Sequence, residues 1–309
     1  MKLNLKQLLT TSIVAIALAG CASSQTDQHI HLDVFENLVL EGQWHEQHGR
    51  TLDAIGSYMA ALNSMEKAEI WQRVSALHIE MGEEFPAMAA FDRAIRTNPS
   101  FAPAYEDMGL LFLHWKQKDQ ALTSLEKALE LDANLWRAHN AKGIILDLTG
   151  DHASAEKHFQ TALQLNPGSA DLLNNFGYSK FLTGQDEQAQ ALLLKAIEAS
   201  ASHEIAAANL AKVMARQGDY ANAFNLLERN QTTATAYHDV GYIALLNSDW
   251  VRAEDYFSKA MHASPQYFDE AFRNRTAARN RLIGNGEGSF VARQGVAYPY
   301  CLGSGVTAC

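Results

Sequence analysis

Beyond its first twenty residues the sequence has no apolar run long enough to span a bilayer, which excludes a spanning helix in that part of the chain. Positive charge is short as well. The 309 residues carry 25 basic and 35 acidic side chains, and no basic stripe offsets the deficit. An acidic surface repels phosphate backbones, so nucleic-acid binding is excluded as the main role. No nucleophile elbow, paired-carboxylate site, phosphate loop or zincin helix occurs, and the expectation is a chain that is not an enzyme and uses no cofactor. Twelve histidines include His29 and His31, and the pair His45 and His48. Spacing supplies no third or fourth ligand to either pair, so these read as surface or half-buried helical histidines and no metal is expected.

The N-terminus is a targeting segment and stands apart from the fold. Lys2 and Lys6 make a positive start, and Leu8 to Ala19 an apolar stretch too short for a stable spanning helix. It ends in Leu18-Ala19-Gly20-Cys21, which resembles the bacterial lipobox. The resemblance implies removal of residues 1–20, lipid on Cys21 and a tether over 21–34. Ala22 follows in place of the aspartate of the usual inner-membrane retention signal. The implied location is the outer membrane, inner leaflet, facing the periplasm. Acyl chains hold by burying methylenes, each worth about 0.8 kcal/mol. Removing 1–20 leaves 23 basic against 35 acidic side chains, a net charge of −12.

Cysteine is scarce, and with Cys21 lipidated only Cys301 and Cys309 remain. An even number in an oxidising compartment favours a disulfide, which would close a nine-residue loop worth about 2.6 kcal/mol in the chain-entropy model. Free thiols or a metal pair are the alternatives.

A period dominates the middle of the chain. Alanine recurs at Ala54, Ala87, Ala121, Ala155, Ala189, Ala223 and Ala253, in steps of 33, 34, 34, 34, 34 and 30. Seven places after each comes another alanine, at Ala61, Ala94, Ala128, Ala162, Ala196 and Ala260, with Asn230 breaking the series. Twelve places before each lies a small residue: Gly42, Ser75, Gly109, Gly143, Gly177, Ala211 and Gly241. Such a pattern describes helical hairpins whose axes approach to about 8–10 Å at the small residues. The short last step implies a clipped connection near Asn230. Bulky residues fill around the small ones: Trp71, Tyr105, Leu173 and Tyr237 on first helices, Tyr58, Phe91, Phe159 and Phe257 on second helices. Gly49, Gly82, Gly150, Gly184 and Gly218 mark the turn within a hairpin. Asp151, Asp186, Asp219 and Asp249 stand where second helices begin and are expected to cap them. Asn98-Pro99, Asn166-Pro167 and Ser264-Pro265 end second helices.

The best-matched unit runs Asn140, Gly143, Gly150-Asp151, Ala155, Phe159, Ala162, Asn166-Pro167, and it resembles the tetratricopeptide repeat. The fold implied is all-α, a superhelix of about seven helix-turn-helix units. The units are placed at 35–67, 68–101, 102–135, 136–169, 170–203, 204–233 and 234–267, filling an array over 35–267. An amphipathic helix over 268–283 is expected to cover the last apolar face, since repeat arrays need caps. The Gly-rich tail 284–309 is left open between a disulfide-closed hairpin, a segment along the array and a mobile end.

The resemblance further implies that first helices line a groove. Groove positions include Arg137, Asn140, Asp147, Asn174, Tyr178, Phe181, Lys212, His238 and Tyr242. Asn175 and Asn209 stand where this family often bonds a peptide backbone, or they only tie adjacent repeats together. Amides and aromatics in such a groove suit a peptide segment. The lysine–asparagine arrangement of the family's carboxylate clamp is missing.

The stretch 136–223 resembles the tight-adherence lipoprotein TadD. Trp136-Arg137-Ala138-His139-Asn140, Gly143, Asp147, Gly150-Asp151-His152 and Ala155-Glu156 carry the likeness, with Asn174-Asn175-Phe176-Gly177 and Ala208-Asn209-Leu210-Ala211. It implies a protein-binding scaffold or pilotin of Flp pilus or secretion-system assembly, whose partner is an outer-membrane secretin or another pilus component. The alternatives are a type IV pilus pilotin of the PilF/PilW kind and an NlpI-like adaptor for peptidoglycan hydrolases. Oligomeric state is not readable from the sequence.

Overall fold

The computed structural model describes residues 32–266 and 268–284. Cys21, Cys301, Cys309, the leader and the Gly-rich tail lie outside the described residues. Every described element is helical. In order they are α1 (32–47), α2 (Thr51–Ser64), α3 (Ala68–Glu80), α4 (Glu84–Thr97), α5 (Ala102–His114), α6 (Lys118–Leu131), α7 (Trp136–Leu148), α8 (His152–Leu165), α9 (Ala170–Leu182), α10 (Asp186–Ala199), α11 (Glu204–Arg216), α12 (Tyr220–Glu228), α13 (Thr233–Leu246), α14 (Trp250–Ala263) and α15 (Asp269–Leu282). They form two compact units, one up to Met108 and one from Gly109. Among the described residues no helix is long and apolar enough to cross a membrane.

The hairpins are built on the small residues. Ala54, Ala87, Ala121, Ala155, Ala189, Ala223 and Ala253 are all fully buried. Each glycine of a first helix meets the bulky residue sixteen places on. A Cβ added to Gly143 would stand 2.8 Å from the Phe159 ring, and one on Gly177 would stand 2.8 Å from Leu193 Cγ. The same relation joins Gly42 to Tyr58, Gly109 to Leu125 and Gly241 to Phe257. Tyr58, Phe159 and Phe257 are buried, so in these hairpins the second helix inserts a ring where the first has no side chain. Carbon atoms prefer separations of about 3.5–4.0 Å, so no side chain fits at these glycines without displacement.

The turns are equally regular. Gly49, Gly82, Gly150, Gly184 and Gly218 have positive φ, as left-handed helix ends require. The third and seventh hairpins lack this glycine, and Lys116 (φ 61°) and Ser248 (φ 60°) adopt the same conformation at the same place. Second helices begin just beyond. Asp151, Asp219 and Asp249 each accept a backbone N–H three residues on. Asp186 departs from the expectation. Gln185 occupies the cap position there, and Asp186 is the first residue of α10, its carboxylate turned to Arg216. Gln185 stands where Asp151 and Asp219 stand in the neighbouring hairpins, so the acid falls one place past the cap. Ser169, His203 and Thr232 cap first helices, which the sequence did not disclose.

The clipped step falls on α12, nine residues long where the other second helices have fourteen. Leu227 still reaches the core with Tyr220 and Ala223. In the first unit Tyr58, Trp71, Val74 and Ala94 share one core. In the second, Leu173, Leu193, Leu210 and Val213 form one cluster, and Val240, Phe257, Ala260, Ala271 and Ala278 belong to another. α15 contributes Ala271 and Ala278 to that last cluster and leaves Phe272 and Leu282 exposed.

Candidate functional site: the first-helix face of the second unit

All eleven expected groove residues lie on α7, α9, α11 and α13, the first helices of four successive hairpins. They separate by burial. Asn140, Asn174, Asn175, Asn209 and His238 are at most 1% exposed, and Asp147 is 5% exposed. These six lie inside the stack and not on an open face. Arg137, Tyr178, Phe181, Lys212 and Tyr242 are half-buried. Asn174 and Tyr178 lie one helical turn apart on α9, the short amide enclosed and the longer side chain only half-buried.

The four asparagines form one hydrogen-bonded run. Asn175 Nδ2 donates to Asn140 Oδ1 at 2.9 Å, Asn174 Nδ2 to Asn175 Oδ1 at 3.1 Å, and Asn209 Nδ2 to Asn174 Oδ1 at 2.9 Å. The run crosses from α11 through α9 to α7. A buried amide without a partner costs about 1–3 kcal/mol, so each asparagine makes its neighbour tolerable. Of the two readings of Asn175 and Asn209, the geometry gives the tie between adjacent hairpins. A similar tie closes the end of the array, where Asn274 Nδ2 meets His238 Nε2 at 3.4 Å. The His238 ring packs between those of Phe257 and Phe268. In the first unit Gln72 Nε2 donates to Asp107 Oδ2 at 2.7 Å. Asp147 is also engaged, its Oδ1 2.7 Å from His152 Nδ1.

What remains accessible is a strip of alternating rings and cations on α9 and α11. The Tyr178 and Phe181 rings stack with centroids 5.8 Å apart. Lys212 Nζ lies 5.2 Å from the Tyr178 ring and the Arg216 guanidinium 3.7 Å from the Phe181 ring. Residues 178 and 181 share one face of α9, as 212 and 216 share one face of α11, so two adjacent helices present two cation–π rungs. Arg216 also donates to the Phe181 carbonyl at 2.7 Å and pairs with Asp186. Burial first, and then the charge of Asp147, raise the Tyr178 phenol above its ordinary range.

Arg216 and Lys180 are the notable residues that the sequence reading left out. Lys180 is 4% exposed, its Nζ held by Glu156 at 2.5 Å and Gln185 at 3.1 Å, which fastens α9 to α8 and to the start of α10. Glu156 lies 24 residues away, and a lone lysine in a last helical turn announces nothing.

The first unit has its own polar cavity of about 410 Å³ beside α1 and α3, lined by Gln43, Glu46, Tyr58, Glu69, Gln72 and Arg73 among others. Glu46 accepts from Tyr58 Oη and, at 2.8 Å, from Arg73. Burial first, and then the Glu46 carboxylate, push the Tyr58 phenol up to about 12. Among the described residues no group of three or more His, Cys, Asp or Glu side chains is arranged to hold a metal ion.

Two family models, both described as tetratricopeptide repeat, match residues 116–170 and 148–213. Tetratricopeptide repeat protein 6 of Homo sapiens is 25% identical over 236 residues, 73% of this chain and 43% of that protein. Type IV pilus assembly protein PilF of Pseudomonas aeruginosa is 31% identical over 93 residues, 30% of this chain and 37% of that protein. The chain spans less than half the length of either relative. Among solved structures, a tetratricopeptide repeat protein from Parabacteroides merdae superposes with a TM-score of 0.56 at 17% identity, covering 80% of this chain and all of that one. Pseudomonas aeruginosa pilF gives 0.54 at 17% identity over 69% of this chain and 97% of its own. PilW, a widely conserved type IV pilus biogenesis factor, gives 0.55 at 19% identity over 63% and 92%. At these identities the structural likeness is one of fold. Matches and geometry together make residues 116–213 tetratricopeptide repeats, set in an all-helical array of hairpins of the same kind.

Proposed function

We propose that this chain is a lipid-anchored scaffold that holds a segment of another polypeptide on the first-helix face of its second unit, in the service of pilus assembly. The observation that carries the proposal is the strip of Tyr178, Phe181, Lys212 and Arg216. Its rings offer large apolar area at low entropic cost, and its cations offer donors to a chain laid across them. The asparagine run behind it holds α7, α9 and α11 in register, so the strip is preorganised.

The finer reading is a pilotin of the TadD kind, acting on Flp pilus or secretion-system assembly through an outer-membrane secretin. The run from Trp136 to Asn140, with Asn174-Asn175 and Ala208-Asn209, supports it, and so does the local likeness to PilF. In this reading Cys21 carries the lipid that keeps the complex at the outer membrane, facing the periplasm. A second reading, a type IV pilus pilotin of the PilF/PilW kind, is favoured by the same PilF match and by the folds of pilF and PilW. The test is deletion of the gene followed by the heat-resistant secretin multimer on a gel. Loss of multimer together with loss of Flp pili supports the first reading. Loss of a type IV pilus multimer supports the second. Intact multimers and normal pili contradict both.

A further inference from the structure

The two cations of the strip are balanced differently. Arg216 has a counter-ion in Asp186, and buried Lys180 has one in Glu156. Lys212 has none among the described residues. Its Nζ donates to Asn209 Oδ1 at 2.9 Å and faces the Tyr178 ring, both of them neutral acceptors. Asn209 cannot swing away to follow a partner, because its Nδ2 is committed to Asn174. The ammonium is therefore held in place, half-buried, with its charge uncompensated. Burial lowers its pKa, to about 8.

Desolvating a cation is costly, and an opposite charge brought to it recovers part of that cost. We propose that Lys212 is the anchor for a carboxylate of the bound polypeptide, a glutamate, an aspartate or the chain terminus, which docks beside the Tyr178 ring and completes the ion pair that the fold leaves open. The proposal rests on the reading of this face as polypeptide-binding and adds the chemistry of what it recognises. A monoanion suits the place better than a phosphate dianion. One ammonium supplies one positive charge, which a single carboxylate balances.

The test uses the full chain in detergent and three pools of fluorescein-labelled nine-residue peptides with uncharged random positions. One pool has a fixed central glutamate and an amidated end. Another has glutamine there and an amidated end, and the last has glutamine and a free C-terminal carboxylate. Fluorescence anisotropy should show at least one acidic pool binding about tenfold or more tightly than the neutral pool, the scale of a charge-assisted hydrogen bond. Whichever acidic pool gains names the source of the carboxylate. Lys212→Gln keeps a donor for Asn209 and should erase the advantage while leaving the melting temperature in place. Lys212→Arg should retain it. Equal binding of all three pools, or an advantage that survives Lys212→Gln, overturns the anchor and leaves the binding face standing. No binding of any pool overturns both.

Discussion

Replacing Gly143 with alanine sets two effects of known size against each other. In an open helix the change gains about 0.8–1.0 kcal/mol from helix propensity. At Gly143 the new methyl would stand 2.8 Å from one carbon of the Phe159 ring and 3.0 Å from two more. The ring must retreat by about 0.5–1 Å to restore ordinary contact distances. It has little room, being 1% exposed and stacked against Phe176 with centroids 6.0 Å apart. Overpacking of this kind costs about 1–3 kcal/mol, which exceeds the propensity gain over most of its range. Gly56 supplies the control, because it lies within α2 and a Cβ there meets nothing within 4 Å. Urea unfolding should show Gly56→Ala more stable than the native chain and Gly143→Ala less stable. In a Phe159→Ala background the Gly143 substitution should turn favourable, giving a coupling of about 1–3 kcal/mol. If Gly143→Ala stabilises as much as Gly56→Ala does, the hairpins are not held at these contacts and the packing argument fails.

Further outcomes follow from other parts of the molecule. Asn174→Ala removes one hydrogen bond from Asn209 and one from Asn175, and should cost about 1–3 kcal/mol in chemical unfolding, while Asn134→Ala, at an exposed turn, should cost far less. Lys116→Gly and Ser248→Gly remove a left-handed side chain at a hairpin turn, and each should raise stability by up to about 1 kcal/mol; a fall in melting temperature would contradict the turn geometry. His139 and His158 face each other with Nδ1 atoms 2.9 Å apart, and burial first, then His139 and Lys142, push His158 down to about 4. A histidine whose folded pKa is lowered gives stability that is complete above about 6.5 and lost as pH falls toward 4, here at most about 3 kcal/mol. His158→Gln should flatten the stability profile across that window, and an unchanged slope would contradict the assignment.

The fold was largely legible because its cause repeats. Gly143, Ala155 and Phe159 occupy one place in a hairpin, and their counterparts return at a nearly constant step, so packing and spacing carry the same message. The turns at Lys116 and Ser248 were not legible, since neither residue type favours positive φ. The cap at α10 was misread because an aspartate beside a glycine turn looks alike whether it is the cap or the next residue. The site was legible by helix and not by face. Position along α7 and α9 put Asn140 and Asn174 on the groove and left Asn209 open between a guest and the next repeat, whereas all three are enclosed, because residue type does not tell an amide that binds a guest from one that binds the next hairpin. Arg216 and Asp186 are 30 residues apart, beyond the reach of local pattern.

The most direct test of the central claim is photocrosslinking in living cells, with p-benzoylphenylalanine placed at Tyr178 and, separately, at Lys157 on the second helix of the neighbouring hairpin. The account predicts a covalent adduct with a pilus-assembly protein from position 178, abolished by deleting that protein, and none from position 157. Adducts from position 157 with none from position 178 would contradict it.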